Sequence, residues 1–273
     1  MPEEPPRTIA VRSLDGTLIA GRSFGEGSAA LVIVPGALSG LASWEHTARL
    51  LSMGRTVIVL DRRGHGRSPD PPGYAPVREV EDVLAFLGDR VGPVDLLGHS
   101  SGAIIALHVA MRTPPNLRCL VIYEPPVFFA EGDRVPGDLP ERLDASLAAG
   151  DPEGAVAMFM REGPRASEEE IDELKRGPVW PYVLEMASTI PHDARIQRDL
   201  GDALEPLGDA RVPTLVLIGG ASPPRMRDGS LAIAAALPDR RIVTLAGQGH
   251  RAMLEAPEPF SAVVDAFLTA PDP

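Results

Sequence analysis

The fold is decided by residues 94–102, which read Val-Asp-Leu-Leu-Gly-His-Ser-Ser-Gly. A short apolar run, predicted as a β-strand, leads into a G-x-S-x-G pentapeptide, and an apolar helix is predicted from Ala103 to Met111. A turn from strand into helix that is this tight leaves no room for side chains at its flanks, so glycines occupy both. The pattern therefore predicts that Ser100 lies at the top of a sheet, in front of a helix N-terminus.

Strands and helices alternate on both sides of this segment. Buried-strand patterns occur at residues 30–34, 56–60, 94–97, 117–123, 212–218 and 241–245, and an antiparallel pair at residues 8–14 and 17–24 opens the chain. Helical spacing occurs at residues 44–53, 77–87, 103–111, 230–236 and 260–268. Because most strands are separated by helices, the pattern predicts an α/β fold with a mostly parallel eight-stranded sheet and helices on both faces.

The alternation stops between residues 127 and 205, where only helical patterns occur. One helix start is explicit, because Ser167 and Glu170 have the spacing of a capping box. We therefore expect one α/β core domain, residues 1–126 and 206–273, that is interrupted by a helical cap, residues 127–205.

Composition and local motifs exclude several classes of protein. The net charge of −12, with no basic cluster, argues against nucleic-acid and anionic-membrane partners, and one cysteine excludes an intramolecular disulfide framework. No metal-ligand spacing occurs, and Gly25 and Gly27 are interpreted as a hairpin and not as a phosphate-binding loop, so no cofactor and no metal are expected. No apolar run reaches the ~18 residues of a membrane span, and the acidic, proline-rich start of the chain predicts a cytoplasmic protein.

The order of these motifs resembles that of the α/β-hydrolase superfamily. Pro35-Gly36 follows the first buried strand, Asp-Arg-Arg-Gly-His-Gly-Arg-Ser at residues 61–68 follows the second, and the G-x-S-x-G pentapeptide follows the third. The resemblance extends over residues 8–268. It implies an α/β-hydrolase fold in which Ser100 is the nucleophile and forms an acyl-enzyme intermediate.

The same resemblance implies a general base and an oxyanion hole. His250, in the loop after the last strand, would take the proton of Ser100 and return it to the leaving group. The backbone N–H groups of Ala37 and Ser101 would bind the oxyanion. The family usually has His-Gly before the first donor and this chain has Pro35-Gly36, but Ala37 still follows the glycine.

The triad acid is where the chain departs from the family's usual pattern. The usual acid follows the strand at 212–218, but residues 219–224 contain no carboxylate, and the next one, Asp228, is interpreted as a helix cap. Glu124 ends the neighbouring strand and can reach the same histidine, which predicts a Ser-His-Glu triad of Ser100, His250 and Glu124. The alternative is that Glu124 is a solvated residue at the start of a proline turn.

An acid at this place occurs in a minority of the superfamily, and the chain is similar there to the zearalenone lactone hydrolases. The shared features are Ser-Ser-Gly-Ala at residues 100–103, Glu124-Pro125, and Gly-Ala-Ser-Pro at residues 220–223. Trp180, followed by Thr-Ile-Pro at residues 189–191, also resembles that family's cap, in which a tryptophan lines the substrate pocket.

The apolar residues of the insertion predict a moderately hydrophobic small-molecule substrate, an ester or a lactone. They are Phe128, Phe129, Met158, Phe159, Met160, Trp180, Tyr182 and Met186. We predict that Trp180, Phe128 and Met158, together with Leu38 of the oxyanion loop, bind the substrate. For any single one of these residues, packing of the cap helices against each other is the better explanation.

Other functions stay open at this point. The same fold can carry a non-hydrolytic ligand-binding protein or a cyclase, since architecture alone does not determine function. A perhydrolase would use the same triad. The sequence also does not decide between a monomer and a homodimer.

Overall fold

A computed structural model describes residues 5–128 and 134–270 of the chain. Phe129, one of the apolar residues predicted for the cap, lies outside these ranges, as do the first four residues. Within them, no helix has both the length and the apolar character needed to cross a membrane.

An eight-stranded sheet forms the centre of the fold. The strands are β1 Arg7–Arg12, β2 Leu18–Phe24, β3 Ala30–Val34, β4 Thr56–Leu60, β5 Val94–His99, β6 Leu117–Tyr123, β7 Thr214–Gly219 and β8 Arg240–Leu245. Their spatial order is β1-β2-β4-β3-β5-β6-β7-β8; β2 is antiparallel to both of its neighbours, and all other pairs are parallel. The predicted mostly parallel eight-stranded sheet is confirmed.

Helices cover both faces of this sheet. They are α1 Leu41–Leu51, α2 Pro76–Gly88, α3 Ser101–Met111, α4 Leu139–Ala148, α5 Pro152–Glu162, α6 Glu168–Arg176, α7 Trp180–Glu185, α8 Ile190–Arg195, α9 Pro224–Ala236, α10 Ala252–Glu255 and α11 Pro257–Leu268. Short 3₁₀ helices span Ala187–Thr189 and Glu205–Asp209, and a π-helix spans Ile196–Leu200. One face packs against α1, α10 and α11, and the other against α2, α3 and α9.

Alternate side chains of the central strands face two separate cores. In β3, Val32 and Val34 belong to the core that contains α2 and α3. Leu31 and Ile33 belong to the core that contains α1 and α11. All four side chains are fully buried, so β3 is covered on both faces, as its continuous apolar run predicts.

Two local predictions are wrong. The segment with Gly25 and Gly27 is not a hairpin, because β2 and β3 pair with opposite sides of β4 and not with each other. Residues 241–245 are not buried on both faces, since among the described residues β8 is an edge strand that pairs only with β7, and Arg241 and Ile242 are exposed. In both cases the local sequence pattern is compatible with either arrangement. Pairing with strands that are distant in sequence determines which arrangement forms.

Helices α4 to α8 occupy the predicted insertion. The capping box at its centre is confirmed, because Glu170 N–H donates to Ser167 Oγ (3.2 Å) and Ser167 N–H donates to Glu170 Oε2 (2.7 Å). An apolar cluster joins α4, α5, α7 and α8, and we call it the cap cluster; its buried members are Leu139, Leu143, Ala155, Val156, Phe159, Val183, Ala187, Ile190 and Ala194. Ile196 and Leu204 instead join the core around α3, so the end of the insertion is anchored to the sheet. The boundaries of the cap as a separate unit stay a prediction.

Buried histidines predict that the fold loses stability in mild acid. The residues are His65, His99, His108 and His192, and the pKa of each is lowered because burial disfavours the imidazolium ion. The unfolded chain, with histidine pKa values near about 6.5, therefore binds more protons below that pH than the folded chain does. We expect the free energy of unfolding to decrease as the pH falls from about 7.5 to about 5.5, by at most about 1.4 kcal/mol per pH unit for each histidine.

Urea denaturation at several pH values across this window measures the effect. A His108→Gln variant should lose part of the pH dependence, because His108 lies on α3 and its only described bond is from Nε2 to Leu200 O (2.8 Å). A His46→Gln variant, whose side chain is exposed, is the control for the effect of the substitution itself on stability. A free energy of unfolding that stays constant or rises toward pH 5.5 would contradict this expectation.

Candidate active site

The turn between β5 and α3 holds Ser100 in a strained backbone conformation. Its φ is 55° and its ψ is −128°, which is unusual for a serine. Its N–H donates to Tyr123 O of β6 (2.9 Å), and its carbonyl accepts from Ala103 N–H (2.8 Å). These bonds hold Ser100 at the carboxyl edge of the sheet and at the N-terminus of α3, in the strand–turn–helix context that the pentapeptide predicts.

Close packing explains both glycines of the pentapeptide. A Cβ atom at Gly98 would lie 2.5 Å from Gly102 O, and one at Gly102 would overlap Val34 O of β3. Any side chain at either position would therefore push α3 away from the sheet. The two glycines let the helix start directly behind the serine.

His250 and Glu124 form a hydrogen-bonded pair at the same edge of the sheet. His250 Nδ1 lies 2.8 Å from Glu124 Oε2, and Glu124 Oε1 accepts from Gly219 N–H (2.7 Å). The Glu124 side chain is 0% exposed. Because the carboxylate accepts a hydrogen bond from Nδ1, the proton resides there and Nε2 keeps its lone pair, as a general base requires.

The last residue of β7, Gly219, leaves space for the Glu124 side chain. A Cβ atom at Gly219 would lie 2.5 Å from Ser222 Oγ and 3.0 Å from Glu124 Oε1. Asp228, the other carboxylate considered from the sequence, is exposed and lies inside α9. Its interpretation as a helix cap is wrong, since α9 already begins at Pro224.

Two residues that the sequence interpretation missed support the histidine loop. Tyr123 OH donates to Gly249 O and accepts from Ala252 N–H (3.4 Å). His99 Nε2 donates to His250 O (2.9 Å), and the two imidazole rings lie 4.6 Å apart. The signal was their position, because each residue directly precedes a predicted triad member at the end of a strand.

No hydrogen bond joins Ser100 to His250 in the described part of the chain. A bond between nucleophile and base is often long in the absence of substrate and shortens in the reacting complex. The structure thus brings Ser100, His250 and Glu124 to one edge, and it pairs the last two directly.

The two predicted oxyanion donors lie next to Ser100. Ser101 is the first residue of α3, so its N–H has no acceptor within the helix. Among the backbone bonds of the described residues, none uses the N–H of Ala37. The loop of Ala37 approaches the nucleophile closely, since a Cβ atom at Gly36 would lie 2.6 Å from Ser100 Cβ. N–H groups that lack an acceptor beside a nucleophile can bind developing negative charge.

Three of the four predicted substrate-binding residues pack against the same apolar cluster. Leu38, Met158 and Trp180 all pack against the cap cluster, as does Ala37 of the oxyanion loop. Phe128 instead packs near the start of α9, where the Arg225 guanidinium lies 5.2 Å from the centre of its ring. The cap cluster therefore touches the oxyanion loop directly, while substrate contact by these four residues stays a prediction.

The described part of the chain contains no candidate metal site. Among residues 5–128 and 134–270, no group of three or more His, Cys, Asp or Glu side chains is arranged to hold a metal ion.

Comparison with known proteins identifies relatives along most of the chain. The alpha/beta hydrolase family model matches residues 31–263. The crystal structure of an alpha/beta hydrolase from Sphaerobacter thermophilus is 36% identical, with a TM-score of 0.87 over 96% of this chain and 100% of that chain. Lipase LipV of Mycobacterium tuberculosis is 30% identical over 64% of this chain and 69% of its own length. A pimeloyl–acyl-carrier-protein methyl ester esterase of Aeromonas hydrophila is 24% identical over 90% of this chain and 97% of its own. The predicted α/β-hydrolase fold is confirmed.

Proposed function

Because the chain belongs to the alpha/beta hydrolase family, we propose that it is a serine hydrolase that cleaves carboxylic esters without a cofactor. The observation that carries the proposal is the hydrogen-bonded pair of Glu124 Oε2 and His250 Nδ1, 2.8 Å apart, at the edge where Ser100 occupies its strained turn. Two relatives, which are a lipase and a methyl ester esterase, support the same reaction class.

In the proposed mechanism, Ser100 Oγ attacks the carbonyl carbon of the ester while His250 Nε2 removes the hydroxyl proton. The Glu124 carboxylate stabilises the imidazolium ion that results. The N–H groups of Ala37 and Ser101 bind the negative oxygen of the tetrahedral intermediate. His250 then passes the proton to the departing alcohol, which leaves an acyl group on Ser100. Water attacks this acyl group with the same assistance and releases the carboxylic acid.

The substrate that we propose is a moderately hydrophobic ester or lactone. The apolar side chains of Leu38, Met158 and Trp180 lie against the cap cluster, which also contacts the oxyanion loop. The lactone alternative rests on Glu124-Pro125 and Trp180, which resemble the corresponding residues of the zearalenone lactone hydrolases. Apolar side chains at this place favour an apolar acyl or ring system over a polyanionic one.

Covalent labelling tests the reaction class without knowledge of the natural substrate. A fluorophosphonate is expected to label the purified protein on Ser100, because the probe reacts with an activated serine beside an oxyanion hole. Mass spectrometry of the modified peptide locates the adduct. Pre-incubation with a hydrolysable p-nitrophenyl ester should slow labelling, and heat-denatured protein is the control.

A protein that resists the probe would contradict the proposal and favour a non-hydrolytic ligand-binding protein on the same fold. A labelled protein is then assayed with p-nitrophenyl esters of increasing chain length and with macrocyclic lactones that include zearalenone. Hydrolysis of the esters but not of the lactones would support ester hydrolysis and contradict the lactone alternative. Faster transfer to hydrogen peroxide than to water would instead identify a perhydrolase.

A further inference from the structure

A second polar cluster lies beneath the cap and outside the triad. Arg62, which follows β4, pairs with Glu79 of α2 through two bonds, Nε to Oε2 (2.6 Å) and Nη2 to Oε1 (3.0 Å). Its third nitrogen, Nη1, lies 2.8 Å from Asp193 Oδ1 of α8. These three charged side chains are at most 2% exposed.

This cluster contacts both halves of the proposed oxyanion hole. Ser101 Oγ donates to Asp193 Oδ1 (2.6 Å) and accepts from Arg62 Nη1 (3.3 Å). Arg62 Nη1 also lies 3.4 Å from Pro35 O, at the start of the loop that carries Ala37. A carboxylate of the cap is therefore bonded to the residue after the nucleophile, and its arginine partner reaches the loop on the other side.

Stability alone does not explain such a cluster. Buried ion pairs lose so much hydration that apolar replacements are often equally stable, so they are weak indicators of a purely structural role. The cost is visible at Asp193, whose Oδ2 is buried and has no hydrogen-bond partner among the residues described. Tyr74 OH, in contrast, donates to Glu79 Oε1 (2.7 Å), so Glu79 is fully bonded and holds Arg62 in one orientation.

The strained backbone of Ser100 indicates a role for this cluster. A residue with a φ of 55° keeps that conformation only when its surroundings impose it. The peptide that joins Ser100 to Ser101 carries the N–H that would bind the oxyanion. If the Ser101 side chain were released, this peptide could relax, and its N–H would turn away from the position where the negative oxygen forms.

We propose that Asp193 and Arg62 are positioning residues that fasten cap helix α8 to Ser101 and thereby hold the oxyanion hole in its reactive geometry. This inference rests on the proposed ester hydrolysis. It also makes the end of the cap a fixed part of the active site: His108 Nε2 donates to Leu200 O (2.8 Å) and Ile196 joins the main core, so this segment stays on the sheet.

The test removes, one at a time, the two side chains that form the contact between Ser101 and Asp193. The rate of ester hydrolysis is then expressed per active site, after the concentration of active enzyme has been determined by titration. Ser101→Ala deletes the hydroxyl but keeps the N–H, and Asp193→Asn deletes the charge. Each variant is expected to lower kcat by about tenfold and to change KM by less than about twofold, because the oxyanion exists only after attack. The affinity for a trifluoromethyl ketone, which forms a tetrahedral adduct with Ser100, should fall by the same factor as kcat. The double variant should be no slower than the slower single variant, since both act through one contact.

Matched controls separate positioning from a general loss of stability. Ser230→Ala removes a buried hydroxyl that donates to Met226 O (2.9 Å) in α9, and Asp82→Asn breaks a buried pair with Arg63 (2.7 Å). Both controls should lower Tm without changing kcat per active site. A Ser101→Ala variant with a lower Tm and an unchanged kcat per active site would overturn the proposal. If Asp193→Asn does not fold, the result for Ser101→Ala alone decides. A wild-type protein that cleaves no ester would instead contradict the proposed function.

Discussion

Replacing Ser100 with alanine is expected to lower kcat for ester hydrolysis by about 10⁶-fold, as loss of the nucleophile does in a well-studied serine protease. Without Oγ no acyl-enzyme can form, and the rate that remains comes from water attack near the oxyanion hole. The fold should be unaffected, because the bonds that hold residue 100 are made by its backbone N–H and carbonyl. Initial rates with p-nitrophenyl esters measure the effect, and circular dichroism and Tm check the fold.

Ser230→Ala is the control for this experiment as well, because it removes a buried serine hydroxyl from α9 and should keep the wild-type rate. The Ser100→Ala protein should also resist the fluorophosphonate probe. If it retained near wild-type hydrolysis, a different nucleophile would carry the reaction and the assignment of Ser100 would be wrong.

Replacing Glu124 with glutamine is expected to lower kcat by about 10⁴-fold, the loss observed when a triad acid becomes an amide. The carboxylate accepts two hydrogen bonds, one from His250 Nδ1 and one from Gly219 N–H. The two bonds use different oxygens, and a glutamine has an NH₂ group in place of one of them, so one of the two bonds is lost. If its NH₂ group faces the imidazole, the ring takes the tautomer with the proton on Nε2 and cannot accept the proton of Ser100.

Asp228→Asn is the matched control, since it makes the same carboxylate-to-amide change on the exposed side of α9. We expect a rate within about twofold of the wild type, because exposed substitutions away from a site have small effects. Both proteins are compared by kcat and by the rate of fluorophosphonate labelling. If Asp228→Asn lowered kcat strongly and Glu124→Gln lowered it only slightly, Asp228 would be the triad acid and Glu124 would not.

Much of the fold was predictable because burial and turn geometry constrain residue type over short windows. The apolar run of β3 predicts a strand with both faces covered, and both of its faces are covered. The glycines at 98 and 102 predict a tight strand-to-helix turn, and side chains there would collide with neighbouring backbone. Ser167 and Glu170 predict a helix start because their bonds are made within a single turn.

Strand neighbours were less predictable from the same windows. The segment after β2 has glycines that suit a hairpin, yet β4 separates β2 from β3. Similarly, β8 has the apolar residues of a central strand and lies at the edge. Pairing partners that are far apart in sequence decide both outcomes, and no local residue pattern encodes them.

The sequence by itself determined the alternation of strands and helices and the position of a serine turn and a histidine loop at strand ends. It also supplied two candidate carboxylates, Glu124 and Asp228. Only the tertiary structure decided which of them bonds to His250, since Glu124 and His250 are 126 residues apart. It alone revealed that Asp193 of α8 reaches Ser101 across 92 residues. The reason is physical: backbone conformation and burial depend on near neighbours, whereas a bond between buried polar side chains depends on how whole elements pack.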